Sequence, residues 1–373
     1  MQQPRADQTR RELIRLCHAG LDSWTLRIEI LKRLRTVIPI DVSFFTTADP
    51  ATLLFTGAVV DELESTTPRF IENEFLQEDV NKFAWMARNN IPVGNLVQAT
   101  QGELERSQRY REILMPNALG DELRAALITG YSCWGFMCLH RDQTSPNFTL
   151  SEAAYLARLT PHFAEGLRTA LLLSNVTGQT LPDEPGLLLL ADDLSVVAIT
   201  EAASRWLAEV GEADWPRQQP LPYAVTAVVG RMLALERGHD GQPDLVPRVR
   251  LRTASGHWLV LHASRLSGQS AQGHIAVIFE VARPTEVAPL IVLAYDLTKR
   301  ESEILQSVVR GLSTTEISAE FHISSNTVQD HLKAIFEKVG VRSRRELVGH
   351  LFAEQYQPRV AAGRGLDANG WFT

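Results

Sequence analysis

The side chains best suited to act on a partner are concentrated near residue 330, in the segment SSNTVQDHLKAIFEKVGVRSRREL that starts at Ser324. Amide side chains such as those of Asn326 and Gln329 can hydrogen-bond adenine, and a cation such as Lys333 can reach guanine or phosphate. This combination of residue types predicts recognition of duplex DNA. Such recognition requires an element that holds these side chains in a groove.

The aliphatic residues of the same segment predict that element. Four of them follow one another at the spacing of one helix face, i, i+4, i+7 and i+11. They are Val328, Leu332, Ile335 and Val339. This stripe must be buried against other helices, so the opposite stripe is left polar. The polar stripe consists of Asn326, Gln329, Asp330, Lys333 and Glu337.

Helix starts around this segment are marked by capping boxes, in which a hydroxyl accepts from the third helical amide and a carboxylate accepts from the cap amide. The pairs are Thr298 with Glu301, Ser313 with Glu316 and Ser343 with Glu346. A fourth start, at Ser324 or Ser325, has the hydroxyl without the acid. Gly311 and Gly340 are placed to end helices in left-handed backbone. The sequence from Leu297 therefore predicts four short helices.

The second and third predicted helices are joined by a short turn, Phe321 to Ile323, and the small Ser318 is placed where two helix backbones must approach. This is helix-turn-helix geometry, which presents the third helix to the major groove. The missing acid at the start of that helix is consistent with docking. A carboxylate there would face phosphates, whereas a free helix N-terminus can bind one.

Charged residues are also distributed unevenly among the predicted helices. The formal net charge of the chain is -7, so any contact with nucleic acid must be local. Between Gln329 and Arg345, five cations and two acids give a net charge of +3. The helices that begin near Thr298 and Ser313 instead carry four glutamates. The basic side is thus predicted to lie at the groove face.

Four motifs from Leu297 onward, LTKRESEIL, EISAEFHIS, TVQDHL and VGVRSRREL, carry a family resemblance. Through them, residues 296 to 353 resemble the LuxR-type (GerE-like) DNA-binding domain. Sigma-factor region 4 is similar over the first part but lacks the start of a fourth helix that this chain has from Gly340. The resemblance implies a four-helix DNA-binding domain, with predicted bounds 290–356 and a flexible tail over 357–373.

The resemblance also implies which residues contact DNA. The position after Thr-Val is usually Lys in the family and is Gln329 here, which favours direct reading of a base over phosphate attraction. Asp330 and Lys333 then form the groove-facing pair, and His331 is expected to pack on the scaffold helix. Two interpretations remain open for the arginines after Gly340: they contact phosphates, or they form a solvated region around the helix cap. The predicted DNA-binding residues are Asn326, Thr327, Gln329, Asp330, Lys333, Lys338, Arg342, Arg344 and Arg345.

The first segment, assigned to residues 1–175, is predicted to contain the strands VSFFTTAD and LLFTGAVV, a strand pair around Gly130, and a final helix capped by Thr149 and Glu152. That helix has one apolar stripe and is a candidate dimer contact. Through GFMCLHR from Gly135 and the capped final helix, residues 10 to 173 resemble a GAF domain. The resemblance implies an α/β sensor with a pocket for a small molecule or signal.

The second segment, assigned to residues 181–285, is predicted to contain two strands, helices and a meander of three strands, from Gly186 to Ala282. That order is similar to a PAS domain. The predicted fold is therefore multidomain α+β: a GAF-like α/β sensor, a PAS-like α/β domain and a C-terminal four-helix helix-turn-helix. A hairpin turn is expected at Ala-Ser-Gly-His, and Trp206 and Trp258 are expected in the core.

Other function classes lack the residues they require. Asp192 and Asp193 follow an apolar run as in a phosphoacceptor receiver domain, but no lysine lies between Lys82 and Lys299 to hold the phosphoryl group. We interpret this pair as a turn. The chain has no Gly-Lys pair for a nucleotide-binding loop, and its three cysteines and ten histidines show no zinc or disulfide spacing. We therefore expect no enzyme activity, cofactor or metal.

The predicted function is that of a transcription regulator whose N-terminal domains respond to a ligand or partner. The alternative is an interaction protein whose N-terminal domains bind another protein. The expected partners are double-stranded DNA, a small-molecule ligand, a second copy of the chain and RNA polymerase. Dimer contacts are expected on the fourth helix, through Leu347 and Leu351. A cytoplasmic location without a membrane partner is predicted, since no apolar run is long enough to span a membrane.

Overall fold

The computed structural model describes residues 3–61, 66–173, 184–210, 221–238, 246–267, 273–283 and 297–349, together with Glu286, Val287, Leu290 and Tyr295. The described residues up to Val281 form one compact unit, and those from Ala282 form another. The first unit, called the N-terminal unit below, therefore contains the described residues of both segments assigned to sensor domains as far as Val281, whereas Ala282 and Arg283 belong to the second, C-terminal unit.

The first half of the N-terminal unit is built on an antiparallel sheet of five strands in the order β2-β1-β5-β4-β3. Its strands are β1 (Val42–Ala48), β2 (Phe55–Val60), β3 (Val93–Asn95), β4 (Leu119–Thr129) and β5 (Ser132–Asp142). Its helices are α1 (Gln3–Cys17), α2 (Ser23–Leu34), α3 (Thr67–Leu76), α4 (Phe83–Arg88), α5 (Leu96–Ala99) and α6 (Leu150–Leu173). The strand pair predicted around Gly130 is present as the β4–β5 hairpin.

Helices cover both faces of β5. Leu167 of α6 lies where a side chain at Gly135 would project, and the ring of Phe83 in α4 stacks on Phe136 with centroids 4.6 Å apart. Successive strand residues point to opposite faces, so the two contacts lie on opposite sides of the sheet. Both faces of β5 are therefore covered by helices, and most of the strand is inaccessible to solvent.

Helix α6 begins at the predicted capping box. The Thr149 amide donates to the Glu152 carboxylate at 2.8 Å, and the Glu152 amide donates to the Thr149 hydroxyl at 3.3 Å. Its apolar stripe is fully buried at Leu156, Leu159, Phe163 and Leu167. The stripe packs within the unit, where α6 contacts β4 and α1. The stripe itself is therefore not available to a second copy of the chain, and a dimer contact through the other faces of α6 stays a prediction.

The second half of the N-terminal unit has a sheet in the order β7-β6-β10-β9-β8. Its elements are β6 (Gly186–Leu190), β7 (Val196–Ile199), α7 (Glu201–Val210), α8 (Tyr223–Glu236), β8 (Arg248–Arg252), β9 (Trp258–Arg265) and β10 (Ile275–Val281). This sheet repeats the strand order of the first when each is counted in chain order. The prediction of two strands, helices and a meander is confirmed.

Local predictions in this half have mixed outcomes. Asp193 accepts from the Ser195 amide at 2.9 Å in the predicted turn, and the Gly256 amide donates to the Thr253 carbonyl at 2.9 Å in the predicted hairpin. Trp206 is buried as expected. Trp258, the first residue of β9, is only half-buried, and the Arg252 guanidinium lies 5.8 Å from its ring centroid.

A buried ion pair joins the two halves of the N-terminal unit. Arg250 of β8 donates from Nη2 to Asp49 Oδ1 at 2.8 Å and from Nε to Asp49 Oδ2 at 3.1 Å, and its amide donates to the same carboxylate. The Asp49 side chain is 1% exposed. Paired hydrogen bonds of this kind fix the orientation of both groups.

Helices α3 and α8 form a second junction between the halves. The hydroxyls of Thr67 and Tyr223 are 2.9 Å apart. A Cβ at Gly230 would lie 2.9 Å from both Ile71 and Phe75, so only glycine permits this approach without a shift. The two halves therefore pack as one body.

The C-terminal unit contains α9 (Lys299–Val309), α10 (Thr314–Phe321) and α11 (Ser325–Val339), followed by helical residues 344–349, named α12. These are the four predicted helices. None of the helices in the described part of the chain combines the length and the apolar character that a bilayer crossing requires.

Replacing Asp49 with asparagine is expected to destabilise the N-terminal unit by about 3 kcal/mol, because it removes the buried carboxylate charge to which the Arg250 guanidinium and amide donate. Denaturant unfolding followed by tryptophan fluorescence measures this change. Asp7→Asn is the control, since Asp7 is 56% exposed and 3.9 Å from Arg10. Equal effects of the two substitutions would contradict the role given to the Asp49–Arg250 pair.

Candidate nucleic-acid interface

The helices of the C-terminal unit begin largely as predicted. The capping boxes at Thr298 and Ser313 are complete, with both reciprocal hydrogen bonds formed. At the start of α12, the Ser343 hydroxyl accepts from the Glu346 amide at 3.1 Å, but the Glu346 carboxylate accepts from the Arg342 amide instead of the cap amide. That third box is therefore only half formed.

The turn between α10 and α11 is fixed by a hydrogen bond. The Ser318 hydroxyl donates to the Ile323 carbonyl at 2.6 Å, so Ser318 does more than leave space for a neighbouring backbone. His322 has a φ of 52°, in the left-handed region. A non-glycine residue rarely adopts this backbone, and no pattern in the sequence predicted it here.

Helix α11 begins after Ser324, whose hydroxyl accepts from the Thr327 amide at 3.0 Å. This decides between the two serines predicted as the cap. The aliphatic stripe is buried at Val328, Leu332, Ile335 and Val339. Contacts with α9 and α10 cover it. The helix is therefore held by its aliphatic side, as predicted.

Most of the predicted DNA-binding residues are exposed to solvent. This set is Asn326, Thr327, Gln329, Asp330, Lys333, Lys338, Arg342 and Arg345. Within the described residues, Lys333 has no ion-pair partner, whereas the Thr327 hydroxyl lies 2.8 Å from that of Ser324. The first turn of α11 contains no acidic residue. This leaves an amide-rich and cationic surface that is open to a polyanion.

Two predicted DNA-binding cations have partners inside the C-terminal unit. Lys338 donates to the Glu301 carboxylate at 2.7 Å, and its charge contributes to the lowered pKa of Glu301, although burial opposes this. Arg344 donates to the Leu312 carbonyl. Lys338 thus connects α11 to α9, and Arg344 connects α12 to the loop before α10, roles that the sequence did not reveal. DNA contact by either of them stays a prediction.

The expected dimer contact on α12 is not available at Leu347, which is fully buried in its own unit. Leu351 lies outside the described residues. His331 is half-buried, and its packing on the scaffold helix stays a prediction. The surface of the C-terminal unit thus offers the polar stripe of α11 as its main candidate site.

A second cluster, in the N-terminal unit, has the atoms of a metal site. Ligand atoms of Glu122, Cys138 and His140 all lie within 4.8 Å of one another, and the three residues are buried. Glu122 is already bound, because Arg109 donates to it from Nη2 at 2.7 Å and Arg124 Nε lies 3.3 Å away.

The charges around this cluster oppose a metal ion. Burial raises the pKa of Glu122, but the nearby Arg109 and Arg124 outweigh it and bring that pKa to about 2. Burial also raises the pKa of the Cys138 thiol, which would have to lose its proton to bind a metal. A divalent cation would meet two guanidinium groups. The donor set therefore fits a buried charge network better than a metal centre.

Comparison with known proteins gives results for the C-terminal unit first. The profile of bacterial regulatory proteins of the luxR family matches residues 296–351. The chain is 40% identical over 55 residues to the spore germination protein GerE of Bacillus subtilis, covering 15% of this chain and 74% of GerE. The profile match covers the residues that form the helix-turn-helix geometry.

Longer similarities are weaker. The chain is 27% identical over 206 residues to the probable transcriptional regulatory protein NarL of Mycobacterium tuberculosis, covering 52% of this chain and 91% of NarL. It is 29% identical over 122 residues to the transcriptional regulatory protein LnrK of Bacillus subtilis, covering 30% of this chain and 52% of LnrK. The match thus spans about half the length of LnrK.

Two solved structures are similar at low identity. Escherichia coli SdiA is 13% identical, with a TM-score of 0.32, over 92% of this chain and 95% of SdiA. The GAF domain/HD domain protein from Geobacter sulfurreducens is 17% identical, with a TM-score of 0.28, over 45% of this chain and 94% of that chain. Scores this low carry no argument about the fold.

Replacing Lys338 with methionine is expected to speed amide hydrogen exchange in α9 and α11, because it removes the ion pair that connects them. The free energy of unfolding of the C-terminal unit is expected to fall by about 1 kcal/mol, which is typical for the loss of a partly exposed hydrogen bond between charged groups. Lys333→Met is the matched control, since Lys333 lies on the exposed stripe of the same helix. Exchange that is unchanged in Lys338→Met would show that the pair does not stabilise the unit.

The stability of the N-terminal unit is expected to fall as the pH decreases from about 6.5 toward about 4, because burial lowers the pKa of His140 to about 4. In this window the unfolded histidine binds a proton that the folded one does not. The slope is at most about 1.4 kcal/mol per pH unit for one proton.

The pH dependence of unfolding measures this effect, and His140→Asn should flatten it between pH 6.5 and 5, above the range in which Glu122 titrates. The exposed His18, changed to asparagine, serves as the control. Identical pH profiles for the wild type and His140→Asn would rule out His140 as the source.

Proposed function

The chain belongs to the luxR family of bacterial regulatory proteins, and on this basis we propose that it regulates transcription by placing α11 in the major groove of specific DNA sites. The observation that carries this proposal is the division of α11 into two faces. Its aliphatic stripe is buried, and its amide and cationic side chains are exposed. A helix held in this way can enter the groove without rearranging its scaffold.

The polar stripe supports a division of roles among its residues. The amides of Asn326 and Gln329 suit adenine, and Lys333 suits guanine or a phosphate. Asp330 can accept from cytosine or position Lys333. Arg342 and Arg345, which are exposed beyond the end of α11, are proposed to contact phosphates.

We propose that the N-terminal unit is the regulatory part of the molecule, with a GAF-like domain over 1–175 and a PAS-like domain over 181–285, followed by the DNA-binding domain over 290–356. The repeated strand order of the two sheets supports this division. A small-molecule ligand, a second copy of the chain and RNA polymerase are the proposed partners besides DNA. No catalytic role is proposed.

The alternative function is that of an interaction protein whose N-terminal unit binds another protein. Native mass spectrometry after gentle purification distinguishes the two, since a small molecule bound in stoichiometric amount supports a sensor and a co-purifying protein at equal stoichiometry supports the alternative.

Lys333→Ala is expected to weaken specific DNA binding by about 1–3 kcal/mol, because it removes a cation that reaches a base or a phosphate. Bound sites are first selected from random duplex DNA with the full chain, and affinity is then measured by gel shift at several salt concentrations. Loss of a phosphate contact should also lower the salt slope by about 1.

Lys299→Ala is the control for this experiment, since Lys299 is an exposed lysine of α9, outside the polar stripe. It is expected to leave both affinity and salt slope close to the wild type. If Lys333→Ala changes neither quantity, the assignment of the polar stripe as the DNA-binding surface is wrong.

A further inference from the structure

Asp330 is an acidic side chain on the face of α11 that is open to a polyanion. It is exposed, it lies in the second turn of the helix, and it belongs to the polar stripe together with Gln329 and Lys333. In a helix-turn-helix, the N-terminal residues of the recognition helix are the ones that contact base edges. A carboxylate at this position therefore requires an explanation.

Folding does not account for this carboxylate. Asp330 lies beyond the first turn of α11, where the helix dipole stabilises negative charge. No ion pair within the described residues joins it to Lys333, so the positioning role named above is not favoured. The ion pairs found among the described residues of the C-terminal unit leave Asp330 out and are formed by other side chains, namely Arg300–Glu303, Arg310–Glu320 and Lys338–Glu301.

Next to DNA, the Asp330 carboxylate is repelled by the phosphates. Between Asn326 and Lys333 the chain has one acid and one cation, whose charges cancel. This part of the polar stripe therefore has no net attraction for DNA of arbitrary sequence. An ionised carboxylate can only accept hydrogen bonds. The repulsion is compensated only where a base donates to Asp330.

The major groove offers such a donor on two bases, as the N4 amino group of cytosine and the N6 amino group of adenine. Adenine also presents its N7 acceptor beside the amino group, and this lone pair would repel the second carboxylate oxygen. Guanine presents two acceptors, and thymine presents an acceptor and a methyl group. Cytosine is therefore the base that best compensates the charge of Asp330.

We propose that Asp330 determines specificity by accepting a hydrogen bond from a cytosine amino group and by weakening the binding of DNA that lacks cytosine at that position. Specificity is a difference between two affinities, so a residue that penalises the wrong sites can supply it. The inference rests on the proposed function, in which α11 enters the major groove, and it names one base of the recognised site.

Selection of bound sites from random duplex DNA with the full chain tests this assignment. The wild type is expected to select cytosine at one position. Asp330→Asn is expected to change that preference to adenine, because an amide can bond the N6 and N7 groups of adenine together. Asp330→Ala, which can neither accept nor donate, is expected to reduce discrimination at the same position by roughly 10-fold.

Gel shifts with random-sequence DNA test the repulsive part of the proposal. Both Asp330 variants are expected to bind such DNA roughly 3-fold more tightly than the wild type, because a negative charge near the phosphates is removed. Glu303→Gln is the control, since it changes the net charge equally on α9, where Glu303 pairs with Arg300 at 3.0 Å. It is expected to select the wild-type site and to change the affinity for random DNA less.

The proposal is overturned if Asp330→Asn selects the same bases as the wild type, or if both Asp330 variants bind random DNA more weakly. It is also overturned if Asp330→Asn and Asp330→Ala only lose preference to the same extent, since that result indicates an indirect role. A wild-type chain that selects no sequence would contradict the proposed function itself. A wild type that selects a site which the Asp330 variants leave unchanged would contradict this inference alone.

Discussion

Burial of the aliphatic stripe of α11 is the interaction on which the arrangement of the C-terminal unit depends. Val328 and Ile335 are fully enclosed by α9 and α10, and this fixes the rotation of the helix about its own axis. Each buried side chain of this size contributes about 1.5–3 kcal/mol, which is far more than the exposed polar residues contribute to folding. The residues of the polar stripe are therefore not constrained by folding and can serve recognition.

Charges inside the molecule are arranged by a second constraint, since a buried ion is stable only when it is paired. Glu122 lies between Arg109 and Arg124, and Asp49 is held by Arg250. The second of these pairs connects two segments that the sequence separated into different domains. Ion pairs and the α3–α8 contact thus make one packed body from two similar sheets.

The sequence by itself determined what depends on neighbouring residues: the helix starts at Thr298 and Ser313, the β4–β5 hairpin, the turn at Asp193, and the two faces of α11. These features follow from caps, turns and periodicity, which act over a few residues. Only the tertiary structure decided which distant residues meet. Lys338 binds Glu301 across 37 positions and Arg250 binds Asp49 across 201, so their roles could not be predicted locally. The burial of Leu347 and of the α6 stripe, and the partial exposure of Trp258, were decided in the same way, because packing assigns each apolar face to a neighbour that the local pattern does not identify.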